Sequence, residues 1–173
     1  MAGVVVFESM FGCTRAVAAA ISEGMTGAGL ETVALDVNDA LAQDAVVARA
    51  RILVVGAPTH MRGLSTPRSR AIARSRGGGE GELGIHEWLE ALPGLSGRHV
   101  AVFDTRSWSR FAGSAGSRIE KLLRRRGADI VAPTQAFGVE GGENGRATID
   151  EAQLALARAW GGSLAAHLLA TAS

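Results

Sequence analysis

Residues 3–14 read Gly3-Val4-Val5-Val6-Phe7-Glu8-Ser9-Met10-Phe11-Gly12-Cys13-Thr14. The unbroken apolar run at its start has the form of a short strand buried on both faces of a parallel sheet. The run stops at Glu8 and passes through a hydroxyl and a glycine. After Thr14 apolar residues return at Val17, Ile21 and Met25, the four-residue spacing of one helix face. A strand that turns through such a loop into a helix opens a βα unit. Backbone amides and the positive end of the helix dipole then converge on the loop, which makes it a cradle for an anion. Ser9 and Thr14 each add a hydroxyl able to donate to an oxyanion. The loop lacks the GxxxxGK of a P-loop and the GxGxxG of a dinucleotide fingerprint.

The alternation continues along the chain. Residues 32–37, 51–56 and 99–104 predict three more strands, and a fifth begins over 129–132 and runs on towards Phe137. Gly27 and Gly29 end the first helix, and a short helical connection carries Val46 and Val47. Residues 117–126 predict a basic amphipathic helix with Ile119, Leu122 and Leu123 on its apolar side, stopped by Gly127. The last helix opens on Thr148-x-x-Glu151, a capping-box pattern, and lines up Leu154, Ala157, Trp160, Leu164 and Leu168. Five strands and about five helices in this order predict an α/β domain over residues 1–173: a doubly wound parallel sheet with helices on both faces. Residues 62–92 exceed what a crossover needs. They read as two helices, one before Gly77 and one over 86–92, separated by a glycine-rich break that is either plain flexible chain or a flap over a ligand.

Composition narrows the function classes. With 47% hydrophobic and 20% charged residues the chain is neither a disordered tail nor a membrane protein, and no apolar run approaches the roughly 20 residues of a membrane span. The opening residues have no basic region of a secretion signal, and the single cysteine, Cys13, suits a reducing cytoplasm. A net charge of +1 gives no field that favours nucleic acid. Neither metal-ligand spacing nor a GxSxG nucleophile motif occurs, so no metal site and no catalytic residue is assigned. Cys13, at a helix start, raises the question of a reactive thiolate. A Cys-x5-Arg phosphatase loop would need arginine where Ala19 stands, which leaves Cys13 as a small residue facing the loop.

The spacing Ser9-x-x-Gly12-x-Thr14 after a first strand resembles the phosphate loop of the flavodoxin family, Thr/Ser-x-Thr-Gly-x-Thr. That resemblance covers nearly the whole chain. It implies strand order 2-1-3-4-5 and flavin mononucleotide (FMN) at the carboxyl ends of the strands. On it, Ser9, Met10, Phe11, Gly12, Cys13 and Thr14 surround the FMN phosphate, although Phe11 and Cys13 replace polar residues of the family pattern. The loop after the third strand, with Pro58, Thr59 and His60, flanks one face of the flavin ring. Its Pro-Thr pair resembles that of flavodoxin-like quinone reductases. In the loop after the fourth strand, Asp104, Thr105 and Arg106 reach the ring edge. Because the chain has no tyrosine, Trp108 takes the stacking position, with Phe111 as the second candidate.

Three functions remain open. The first is an electron carrier working with a redox partner protein, made a milder reductant than acidic carriers by its near-neutral charge and by Arg62 and Arg106. The second is an NAD(P)H-dependent FMN quinone reductase, with Arg68, Arg70, Arg74 and Arg76 available to a nucleotide phosphate or an acidic partner. The inserted helices of 62–92 could instead form a homo-oligomer interface. The third is a flavin-free binding module on the same fold.

Overall fold

The computed structural model describes residues 3–59, 63–79, 82–107, 113–141 and 147–171. The elements are β1 (Gly3–Phe7), α1 (Cys13–Gly27), β2 (Thr32–Asp36), α2 (Val37–Ala42), α3 (Asp44–Arg49), β3 (Ile52–Pro58), α4 (Pro67–Ser75), α5 (Ile85–Ala91), β4 (His99–Arg106), α6 (Ala115–Arg125), β5 (Asp129–Ile130), β6 (Gln135–Gly138), β7 (Glu140–Gly141), β8 (Ala147–Thr148) and α7 (Glu151–Thr171). The sheet runs β2-β1-β3-β4-β5, all parallel, as the resemblance implies.

Alternation along each strand divides the core in two. Val4, Val6, Leu53, Val55, Val100 and Val102 face α2, α3, α5 and α6, whereas Val5, Phe7, Val54, Ala101 and Phe103 face α1 and α7. On the second side the helices meet backbone to backbone. A Cβ on Gly24 would lie 2.0 Å from the carbonyl oxygen of Arg158, and one on Gly161 2.3 Å from that of Ile21. Within the sheet Gly56 leaves room for the Phe103 ring, which meets Phe137 edge-on at 6.1 Å; Phe137 meets Trp160 in turn at 6.2 Å.

Several details depart from the sequence reading. The fifth strand is divided: β5 and β6 pair with opposite ends of β4, and residues 131–134, which contain Pro133, interrupt the ladder. Val37 starts a helix instead of ending β2, because the Asp36 side chain accepts the Asn38 amide and caps α2. The Val46–Val47 connection is two short helices, α2 and α3. Thr148 does not cap α7. It pairs with Glu140 in the β7–β8 ribbon, and the cap is Asp150, whose Oδ1 accepts the Gln153 amide at 2.8 Å.

The inserted stretch forms α4 and α5 as expected, and Gly78 and Gly79 between them are anchored. The Gly79 amide donates to the Met10 carbonyl at 2.8 Å, and Gly78 turns at a point where a Cβ would meet the Ala73 carbonyl oxygen at 2.8 Å. The segment is therefore tied to the loop after β1.

Candidate functional site

The carboxyl ends of β1, β3 and β4 lie side by side, with Phe7 beside Gly56 and Ala57 beside Asp104. Two contacts join their loops. The Thr14 and Thr105 hydroxyls share a hydrogen bond at 2.8 Å, both buried, and the Thr59 amide donates to the Thr105 carbonyl at 2.8 Å. The first turn of α1, the end of β3 and the end of β4 are thus held together.

The β1–α1 loop is an amide cradle more than a side-chain one. Gly12 adopts φ 98°, a left-handed conformation that favours glycine, and a Cβ there would meet nothing within 4 Å. Its amide donates to the Ser9 hydroxyl oxygen at 3.2 Å. Beyond it α1 begins with no side-chain cap and no acidic residue in the first turn. The first-turn amides of Cys13, Thr14 and Arg15 have no partner within the helix, and the dipole adds positive potential there. Met10 is buried, and Phe11 and Cys13 are half-buried. The Cys13 thiol donates to the Ala147 carbonyl at 3.2 Å, and burial pushes its pKa up, which disfavours the thiolate.

Pro58 and Thr59 close β3. The Thr59 hydroxyl accepts the Ala115 amide at 3.0 Å and lies 3.5 Å from Asp104 Oδ2. Asp104 is fully buried, and its Oδ2 accepts from Ser114 Oγ at 2.8 Å and from the Gly116 amide at 2.9 Å. That oxygen docks the start of α6. Its other oxygen, Oδ1, sits 3.4 Å from Arg106 Nε, and neither atom has a hydrogen-bond partner among the described residues. An open helix terminus, the paired hydroxyls of Thr14 and Thr105, and the buried atoms Asp104 Oδ1 and Arg106 Nε left without a hydrogen bond among the described residues fit a ligand with a phosphate at one end and a polar ring at the other. His60, Arg62, Trp108 and Phe111 lie outside the described residues.

Sequence reasoning misses a second polar cluster just behind the loop. Glu8 is buried, and its Oε2 accepts the Ile85 amide at 3.1 Å. Buried Arg70 donates to Ser65 Oγ at 2.8 Å, to Glu87 Oε1 at 2.8 Å and to the Glu82 carbonyl at 3.1 Å. Burial raises the Glu8 pKa against the pull of Ser65, the Ile85 amide and Arg70. The Glu87 carboxyl also feels burial, but the hydrogen bonds and charge of Arg70 outweigh it and hold its pKa down. The available signal is a carboxylate directly after an unbroken apolar strand, since a charge in that place must find partners.

Among the described residues no cluster of three or more His, Cys, Asp or Glu could hold a metal ion, and no helix is long and apolar enough to cross a membrane.

No curated protein matches this sequence. Solved structures do. A flavodoxin from the domain Archaea superposes with TM-score 0.69 at 18% identity over 98% of this chain and 99% of that one. Oxidised flavodoxin 1 from Bacillus cereus gives 0.68 at 19% identity over 96% and 99%. The flavodiiron protein from Giardia intestinalis gives 0.63 at 23% identity, over 97% of this chain but 36% of that longer one. At these identities the structures establish the fold. The flavodoxin family model matches residues 5–160, which takes in all three loops of the site, and so the chain belongs to the flavodoxin family.

Proposed function

We propose that residues 1–173 form one FMN-binding domain that passes electrons between protein partners. The observation that carries this reading is the open amino terminus of α1, pinned to the end of β4 by the hydrogen bond between Thr14 and Thr105. The amides of residues 12–15 and the Ser9 hydroxyl hold the phosphate, with Met10, Phe11 and Cys13 shaping the loop. Bound FMN would supply one- and two-electron redox chemistry that no side chain here can perform. Pro58 and Thr59 flank the ring, with His60 beside them and Trp108 stacked on the other face. A stacked aromatic contributes about 0.5–1.5 kcal/mol beyond area burial. Thr105 sets the depth of the pocket, and Asp104 holds α6 in place so that the Arg106 guanidinium faces the ring edge.

Charge then sets the potential. A chain of net charge +1 does not destabilise an anionic reduced flavin as the negative charge of an acidic carrier does, and Arg106 places a cation beside Asp104 at the same strand end. The fully reduced anion is thereby favoured, which makes the protein a milder reductant than acidic flavodoxins. With a single cysteine, which can form no internal disulfide, the protein suits a reducing compartment such as the cytoplasm.

The test is an absorbance titration of the purified chain with FMN, followed by NADPH in the absence of other proteins. Flavin bands that shift on binding and stay oxidised in NADPH support the carrier. Rapid bleaching by NADPH transfers the reading to a reductase of quinones or similar acceptors. Failure to bind excess FMN removes both, and leaves a flavin-free binding module.

A further inference from the structure

A groove of about 600 Å3 opens on the α5–α6 side of the molecule, beyond the loop after β3. One wall is a single face of α6, where Arg118, Lys121 and Arg125 recur at three- and four-residue steps. Residues 63–67 and the first turn of α5 form the opposite wall, and Leu64, Pro67 and Leu122 give the groove an apolar lining. Its volume lies within the roughly 300–1,000 Å3 of small-molecule sites.

The charges in this groove are unspent. Its one carboxylate, Glu87, is bound by Arg70. The ion pairs among the described residues involve other cations, His86 of the groove wall with Glu90 included, so Arg118, Lys121 and Arg125 face the groove with no ion-pair partner among those residues. Arg118 lies against the backbone of Gly63, where a Cβ would come within 2.4 Å of its Nε. Helix α4 adds nothing for an anion. Pro67 lacks an amide hydrogen, and Thr66 and Ser69 close a capping box on each other. Anion affinity must therefore come from α6, whose outer cations stand about 10 Å apart along the helix axis. Cations at that separation over an apolar floor match a ligand with a flat apolar centre and anionic groups at both ends.

We propose that this groove is a second ligand site, for a nucleotide carrying phosphates on both sides of its sugar. The base lies against Leu64, Pro67 and Leu122, and the phosphates meet Arg118, Lys121 and Arg125. Neither wall includes a residue assigned to FMN, so the site stands whether or not flavin binds. A free nucleotide and the phosphorylated adenosine end of NADP+ offer the same chemistry.

The experiment is isothermal titration of the full chain, at low salt, with adenosine 2′,5′-bisphosphate and separately with NADP+. One-to-one binding of the bisphosphate is expected, at least about tenfold tighter than adenosine, since charge-assisted phosphate contacts supply most of the affinity. Tighter binding of NADP+ than of the bisphosphate identifies the dinucleotide as the source; the reverse order identifies the free nucleotide. The triple variant Arg118→Gln, Lys121→Gln, Arg125→Gln should lose at least about tenfold in nucleotide affinity and keep its melting temperature. Cys13→Asp, which places a carboxylate in the α1 loop, should bind nucleotide as before. Unsaturable binding, equal affinity for adenosine, or wild-type affinity in the triple variant overturns the proposal. Loss in Cys13→Asp does the same by placing the nucleotide in the phosphate loop. So does a heptaglutamate peptide that binds through the three cations when the nucleotide does not, which would make the groove a docking face for an acidic protein.

Discussion

Helices α2, α5 and α6 start against a carboxylate from the end of a strand, and α1 starts against none. Asp36 at the end of β2 caps α2, Glu8 just after β1 takes the Ile85 amide of α5, and Asp104 in β4 takes the Gly116 amide of α6. Elsewhere α4 is capped by Thr66 and α7 by Asp150, while α3 carries Asp44 in its first turn. Among the described helices only α1 has neither a side-chain cap nor a first-turn acid. The contrast teaches how one sheet edge builds both scaffold and site. Where the protein supplies its own anion, a helix is fastened to the strands. Where it withholds one, the helix terminus stays open, which is what the proposed phosphate site needs.

The contrast can be broken first from the fastened side. Arg70→Met leaves Glu8 and Glu87 facing each other without the guanidinium, and we expect a loss of about 3 kcal/mol, the low end for breaking a buried pair from one side because Glu87 is one-third exposed. Denaturant unfolding measures it, and a loss below about 1 kcal/mol would show that Glu8 simply takes up its proton. Asp104→Ala strands the Gly116 amide and the Ser114 hydroxyl at the start of α6. It should cost about 2–3 kcal/mol in the same assay, and near-neutral stability would show that water replaces the carboxylate.

From the open side, Cys13→Asp makes α1 resemble its neighbours. FMN affinity should drop about tenfold or more, as a carboxylate competes for the phosphate position, while the apoprotein gains nothing because the new carboxylate faces the Ala147 carbonyl. Undiminished affinity by fluorescence titration would remove the amide cradle from the explanation.

The smallest effect concerns pH. Because the folded pKa of Glu8 is raised, the native state holds its proton more tightly than the unfolded chain does. Native stability therefore falls as pH climbs from the ordinary carboxylate range through the raised folded value. Glu8→Gln cancels this trend, and should match wild type in acid and exceed it by about 1 kcal/mol or less near neutrality. Glu87 works in the opposite sense: its lowered pKa contributes stability that is lost as pH falls. A wild type that gains on Glu8→Gln as pH rises contradicts this assignment.

The strands and the order of elements were legible because local rules govern them. A β-branched run such as 3–7 is a strand wherever it lies, and the four-residue spacing of Val17, Ile21 and Met25 is a helix face before it finds a partner. The loop 9–14 was legible for the same reason, since an amide cradle is backbone geometry set by a few adjacent residues. The break of the fifth strand, the Asp150 cap and the β7–β8 ribbon were not, since each depends on which neighbour competes for the same hydrogen bonds.

Arg70 shows the limit most clearly. In the sequence it stands among Arg68, Arg74 and Arg76 as one more surface cation, yet it is buried and clasps Glu87, seventeen positions away. Asp104 likewise reads as a ring-edge ligand, and one of its oxygens instead fastens α6. By itself the sequence determined the fold class and where in the chain the β1–α1 turn falls, because period and turn chemistry act over a few residues. Only the tertiary structure decided which charges are consumed inside the scaffold and which, like Arg118, Lys121 and Arg125, remain for a ligand, because pairing depends on distance in space and on exclusion of water.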